Sequence, residues 1–306
     1  MPKNIKEDYL CLSAILRVRE TKMLNAEKAE RMANAGSFAD AAKTMMDCGY
    51  PDMSAMSAKQ VEDALAEYRS SLFAELEDMA PSKACIDAFR VKYDYHNAKV
   101  LVKSEAMGRD AAPMMSRCGR ISPEVFAAKY TEEKYSDLPE TLGNAVKEAK
   151  SLLARTQDPQ AMDFLLDKAY FEEMQALSKE AGSAFLSDYT AAIVDGTNKS
   201  SMLRCLNMNK NLKFAEEVIA EGGKVSREAV LKAESAEDVE NLYKSVNCST
   251  ADIAASAKYV SYGEEILVSF IAQKEQEITA ARMVLTGKLA GIKSEVLVER
   301  LRGIYA

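Results

Sequence analysis

The chain has 306 residues, 48% of them apolar and 28% charged, a formal net charge of −7, a single histidine and no tryptophan. That composition excludes a disordered tail, and the acidity speaks against a nucleic-acid binder, which needs a basic face for the phosphate backbone. Gly and Pro are scarce (13 and 7) while Ala, Leu, Glu, Lys and Met abound, so the chain is expected to be all-α: those side chains lose little freedom in a helix.

In chain order, the spacing of Ile5, Tyr9, Leu12, Leu16 and Met23 predicts a first helix from about Asn4 to Leu24. Asn25-Ala26-Glu27 reads as a fresh start, with a capping side chain and an acid in the first turn. Gly36-Ser37 restarts the helix and Gly49-Tyr50-Pro51 stops it, because proline cannot continue one. A long helix is predicted from Ser57 to Met79, ended by Pro81, and another from about Ser82 to Met107. The second of these carries an apolar seam of Ile86, Phe89, Tyr93, Val100 and Met107, and the lone His96 is placed on that seam, packed in the core or at an interface.

Asp94, Asn97 and Lys103 in that helix fit D-x-x-N-x5-[KR]. The pattern returns as Asp195, Asn198 and Arg204, and more faintly as Gln273, Gln276 and Arg282. Each copy is followed by a glycine turn and a serine-led helix start: Gly119-Arg120-Ile121-Ser122-Pro123-Glu124, then Gly222-Gly223-Lys224-Val225-Ser226-Arg227-Glu228, then Gly291-Ile292-Lys293-Ser294-Glu295. A constant order at such long intervals predicts three similar helical units, at 1–121, 122–225 and a shortened 226–306. The acids and amides are read as buried polar contacts that hold helices in register.

Catalytic constellations are not expected. With one histidine, a Ser-His-Asp or Cys-His arrangement has only His96 to use, and no nucleophile elbow accompanies it. The six cysteines are too dispersed for a C-x-x-C pair and read as small buried hydrophobes, and neither zinc nor calcium ligand spacing occurs. Gly222-Gly223-Lys224 suggests a phosphate loop, but Val218 stands where its first glycine belongs and Val225 where its hydroxyl belongs. Asp94 and Asp195 each stand beside an amide rather than a second acid, unlike metal-diphosphate sites. No targeting segment is expected, and no apolar run approaches the roughly 20 residues of a membrane-spanning helix.

With the repeats laid out, the chain resembles a known family: the C subunit of the bacterial and archaeal V/A-type rotary ATPases, counterpart of the eukaryotic d subunit. The likeness runs over nearly the whole length. It rests on Leu16-Arg17-Val18-Arg19-Glu20 with Met23-Leu24, on Tyr93 to Lys99, on Asp195 and Asn198 leading to Arg204, and on Gly119 to Ser122. It rests also on the tail from Glu275 to Tyr305, with Gly287-Lys288 and Glu299-Arg300-Leu301-Arg302. Ala98 stands where a larger apolar residue is usual, and Gly196 is unexpected in the second motif.

The resemblance implies a funnel of three helical domains about a pseudo-threefold axis, without catalytic residues, cofactor or metal. It implies a cytoplasmic protein peripheral to the membrane, joining central axle subunits of the D/F type to the membrane rotor ring. Neither nucleic acid, bound nucleotide nor direct membrane insertion is expected. Candidate partner contacts are the bases near the glycine and serine turns: Arg117, Arg120, Lys224, Arg227, Lys288 and Lys293. The alternatives are a helical repeat adaptor of another complex and an α-helical enzyme acting through Asp94 and Asp195.

Overall fold

A computed structural model describes residues 5–305 and is all-α, with no strand among them. A 3₁₀ turn over Ile5–Tyr9 leads into α1 (Leu10–Glu20), followed by α2 (Ala26–Asn34), α3 (Phe38–Asp47), α4 (Ala58–Met79), α5 (Ala84–Met107), α6 (Pro123–Thr131) and α7 (Glu140–Thr156). Then come α8 (Pro159–Glu180), α9 (Ala184–Asn207), α10 (Leu212–Val218), α11 (Arg227–Leu231), α12 (Ala236–Tyr243), α13 (Thr250–Ser256), α14 (Glu264–Leu289) and α15 (Ser294–Tyr305).

Most helix starts follow from the capping side chains. Asn25, Ser37, Ser57, Ser122 and Ser226 each accept a main-chain N–H from the first turn, and Ser57 forms a reciprocal box with Gln60. Two expected helix bounds change. The first predicted helix divides into the 3₁₀ turn and α1 and ends at Glu20, because the N–H of Leu24 is claimed by a carboxylate from α14; Asn4 lies outside the described residues. Ser294 is the first residue of α15 rather than its cap, and its hydroxyl instead accepts a bond from Lys288 Nζ at 3.0 Å.

The chain forms two compact units, 1–81 with 254–306, and 82–253. In the first, α4 and α14 lie antiparallel, joined by Arg69–Glu275 (2.8 Å) and Arg282–Glu62 (2.7 Å). One apolar core gathers Met32, Ala41, Met45, Leu65, Val284 and Leu297 from α2, α3, α4, α14 and α15.

In the second unit α5 and α8 also run antiparallel. Tyr95, Lys99 and Lys103 meet Glu173, Asp167 and Asp163 in reverse order at 2.6–2.8 Å. A short turn at 181–183 sends α9 back along α8, and a smaller core of Met202, Ile219, Val230 and Val239 closes α9 to α12. The α5 helix is buried on several sides, from Cys85 through Asp94, Tyr95, Asn97 and Ala98 to Val102. The expected single seam is therefore wrong at its end: Met107 is exposed and Tyr93 and Val100 only half-buried. His96 is exposed too, its Nε2 3.1 Å from the Met114 carbonyl, because the side chains that pack inward flank it on either side.

Candidate functional site

Asp94 and Asn97 lie one turn apart on α5, so both face the same stretch of loop. Asn97 grips Ser116 with two hydrogen bonds: its Nδ2 donates to the Ser116 carbonyl (2.9 Å) and its Oδ1 accepts the Ser116 N–H (2.7 Å). Asp94 accepts the N–H of Ile121 at 3.3 Å, immediately before the Ser122 cap of α6.

Asp195 and Asn198 on α9 repeat this arrangement. Asn198 exchanges two bonds with Ala220, both 2.9 Å, and Asp195 accepts the N–H groups of Lys224 (2.8 Å) and Val225 (3.2 Å), just before the Ser226 cap of α11. We call each arrangement a clamp: a helix acid fixes the loop residue that precedes a helix cap. Gly119 and Gly223 occupy matching places. A Cβ at either would collide with the carboxylate of Asp94 or Asp195, so the short aspartate and the bare glycine require each other. The glycine-lysine fragment that suggests a phosphate loop is thus the turn of the second clamp.

The third clamp is not where the glutamine pattern places it. Gln273 donates to Ser269 of its own helix (2.7 Å), and Gln276 donates to the Ile304 carbonyl in α15. The acid that matches is Glu277. Its Oε2 accepts the N–H of Leu24 at 2.8 Å, one residue before the Asn25 cap of α2. The Tyr305 hydroxyl completes the grip by donating to the Leu24 carbonyl (3.1 Å).

The helix ends confirm this phase. Gly108, Asn209 and Gly291 are all left-handed, with φ of 60°, 52° and 72°, and each follows its acid by 14 positions (94 to 108, 195 to 209, 277 to 291). Each end also closes with the same pair of main-chain bonds; the one spanning five positions runs from the N–H of Arg109 to Ser104, of Lys210 to Cys205 and of Ile292 to Gly287, all 2.9 Å. The pattern Gln273, Gln276, Arg282 is therefore displaced by four residues, about one helical turn. Glutamate is one methylene longer than aspartate, and the position matching Gly119 and Gly223 is Lys22, two before Leu24: a longer arm leaves room for a side chain.

The acids are 0–1% exposed, and burial makes their remaining partners matter. Asp94 binds Arg120 Nε (2.6 Å), and the same guanidinium binds Glu173 (2.6 Å), which accepts the Tyr95 hydroxyl (2.8 Å). Burial pushes the Asp94 carboxyl above the usual carboxylate range against the pull of Arg120, and burial beside Glu173 pushes the Tyr95 phenol well up. Glu277 binds Lys274 Nζ (2.7 Å) and the Tyr50 hydroxyl (2.6 Å). The ammonium lies 5.3 Å and 5.5 Å from the ring centres of Tyr50 and Tyr68, which stack on each other. Asp195 has neither arrangement: Lys224 turns outward to Asp188 at an exposed pair.

The remaining sequence candidates divide. Lys103 pairs with Asp163 on α8, whereas Arg204 is exposed and Arg282 reaches Glu62, so the base of the pattern has no common role. Arg120, Arg227 and Lys288 are half-buried and engaged within the fold, Arg120 by Asp94 and Glu173, Arg227 by the carbonyls of Ile219 and Glu216, and Lys288 by Ala35 and Ser294. Arg117, Lys224 and Lys293 are exposed. Sequence reasoning missed Glu277; the signal available was Leu24-Asn25-Ala26-Glu27, which matches Ile121-Ser122-Pro123-Glu124 and Val225-Ser226-Arg227-Glu228.

No helix among the described residues is long and apolar enough to cross a membrane, and no group of three or more His, Cys, Asp or Glu among them is arranged to hold a metal. The chain is 24% identical to the C subunit of a V-type sodium ATPase from Enterococcus hirae, over 97% of this chain and 99% of that protein. It is also 24% identical to the C subunit of a V-type ATP synthase from Thermus thermophilus, over 63% of this chain and 61% of that protein. The family described as ATP synthase (C/AC39) subunit matches residues 12–252, a stretch holding both aspartate clamps and the Leu24 end of the third. The resemblance carried by the repeat motifs is thereby met, and the chain belongs to the ATP synthase (C/AC39) subunit family.

Proposed function

We propose that the chain is a non-catalytic subunit of a V/A-type rotary ATPase, a socket that joins the central axle to the membrane rotor ring and passes torque between ATP turnover and H⁺ or Na⁺ transport. The observation that carries this reading is the threefold clamp in a chain similar over nearly its full length to the C subunit of a V-type ATPase. A torque-bearing part must not yield where helix meets loop, and a buried acid holding the main chain at each such junction resists yielding. The same groups argue against the enzyme alternative. Asp94 and Asp195 are fully buried and each is occupied by its own loop, so neither is presented to a substrate.

In this reading the chain comprises three similar helical repeats arranged as a funnel. It is peripheral to the membrane on the cytoplasmic side and binds no nucleotide. Of the six candidate bases, Arg117, Lys224 and Lys293 are the exposed ones and would meet axle or ring. The test is coupling. A complex assembled without this chain and reconstituted in vesicles is expected to hydrolyse ATP without ion uptake, and restoring the chain to restore uptake. Ion uptake at the full rate in its absence would sink the reading.

A further inference from the structure

Tyr243 is 4% exposed, and its buried hydroxyl has no hydrogen-bond partner among the described residues. A phenol left in that condition is costly, because burial strips the water that satisfied it in the unfolded chain. Its position ties it to the second clamp. Lys199 of α9 pairs with Glu240 of α12 (2.8 Å), and farther on the Cys248 carbonyl lies against Gly196, so the chain from α12 onward runs back along α9. One turn from that ion pair, on the two helices, stand Asp195 and Tyr243. Burial, with the Asp195 carboxylate and the Cys248 thiol nearby, pushes the Tyr243 phenol well up.

The other two clamps show where such a hydroxyl goes. Tyr50 donates to Glu277 (2.6 Å), and Tyr95 donates to Glu173 (2.8 Å), the acid that shares Arg120 with Asp94. Asp195 has acceptor capacity to spare. Its two oxygens take one main-chain N–H each, from Lys224 and Val225, and a carboxylate oxygen can accept two.

Gly196 supplies room for a mediator. It stands inside α9, where glycine weakens a helix, yet a Cβ there would meet only the Cys248 carbonyl, at 3.5 Å, an ordinary contact. Crowding therefore does not demand glycine at this position. The missing methyl leaves space the size of one water beside Asp195, with a carbonyl across from it.

We propose that one buried water in this space joins the Tyr243 hydroxyl to Asp195, accepting from the phenol and donating to the carboxylate and to the Cys248 carbonyl. A donor stands on one side and acceptors on the other, and water serves both at once, with the three partners a buried water ordinarily has. The second clamp is thereby tied to α12, as the first is tied through Arg120 to Glu173 of α8.

The test combines crystallography of the full chain with urea unfolding. At a resolution that shows ordered water, the unsubstituted chain is expected to hold one oxygen within hydrogen-bond distance of Tyr243 Oη and of an Asp195 carboxylate oxygen, and Gly196→Ala to lack it. Gly196→Ala is also expected to raise the unfolding equilibrium constant, although alanine favours a helix. Tyr243→Phe is expected to raise that constant about fivefold, but less than about twofold in an Asp195→Ala background. Should Asp195→Ala not fold, the two crystal structures decide.

A Tyr243→Phe variant as stable as the unsubstituted chain, or more so, shows that the hydroxyl has no partner at all and overturns the proposal. An equal loss in both backgrounds puts the partner away from Asp195 and overturns it as well. A direct Tyr243–Asp195 bond in the crystal, with no oxygen between them, overturns the water.

Discussion

At Asp94 the buried carboxylate meets a guanidinium that a second acid shares; at Asp195, in a matching helix, it meets only main-chain N–H groups. The loop geometry is nevertheless alike, down to the paired amide bonds of Asn97 and Asn198 and the glycine pressed against each acid. The geometry therefore comes from the acid–backbone contact. The ionic groups around Asp94 determine what happens when that contact is removed. Glu277, with a buried ammonium beside it, belongs with Asp94 in this respect.

This difference predicts an order of effects. Asp94→Ala leaves Arg120 and Glu173 without their third member and Glu277→Ala leaves Lys274 buried without its acid, so each is expected to cost about 3–5 kcal/mol. Asp195→Ala loses an acceptor for two N–H groups and is expected to cost about 1–3 kcal/mol. Urea unfolding midpoints of the three variants check this, and equal losses at Asp94 and Asp195 would break the comparison. The amides sharpen it from the other side: Asn97→Ala and Asn198→Ala remove the same pair of bonds, so their costs, about 1–3 kcal/mol each, should agree.

Next come the glycines. Gly119→Ala and Gly223→Ala each force the carboxylate or the loop to shift, an overpacking cost of about 1–3 kcal/mol by thermal or urea unfolding. The smallest effect belongs to the third clamp, where Lys22→Ala is expected to change stability by no more than about 0.5 kcal/mol, because no carboxylate presses on that position. A large loss at Lys22 would show that the longer glutamate does not relieve the crowding.

Much of this is legible in the chain before folding. The caps at Asn25, Ser37, Ser57, Ser122 and Ser226 announce themselves through local chemistry, and the first two clamps share both the D-x-x-N pattern and the glycine-serine turn in a single order. The third lies one turn out of phase with the glutamine pattern for two reasons. Its acid is a glutamate in a helix rich in Gln and Glu, and the loop it holds lies at the other end of the chain, 253 positions away. A pattern sought downstream of each helix cannot find a partner upstream. His96 and Met107 depart from the expected one-sided seam because their helix is buried on several sides.

The separation of Leu24 from Glu277 has a consequence in time. Residues 82–253 form a continuous unit whose clamps close over at most 30 positions, so that unit can fold while the rest of the chain is still being synthesised. The other unit must wait: Leu24 has no acid until Glu277 emerges, and its carbonyl is unheld until Tyr305 does. During synthesis α2 and α3 thus expose apolar faces that only the last helices cover, and the interval between the two ends of the chain is where this protein is most open to aggregation.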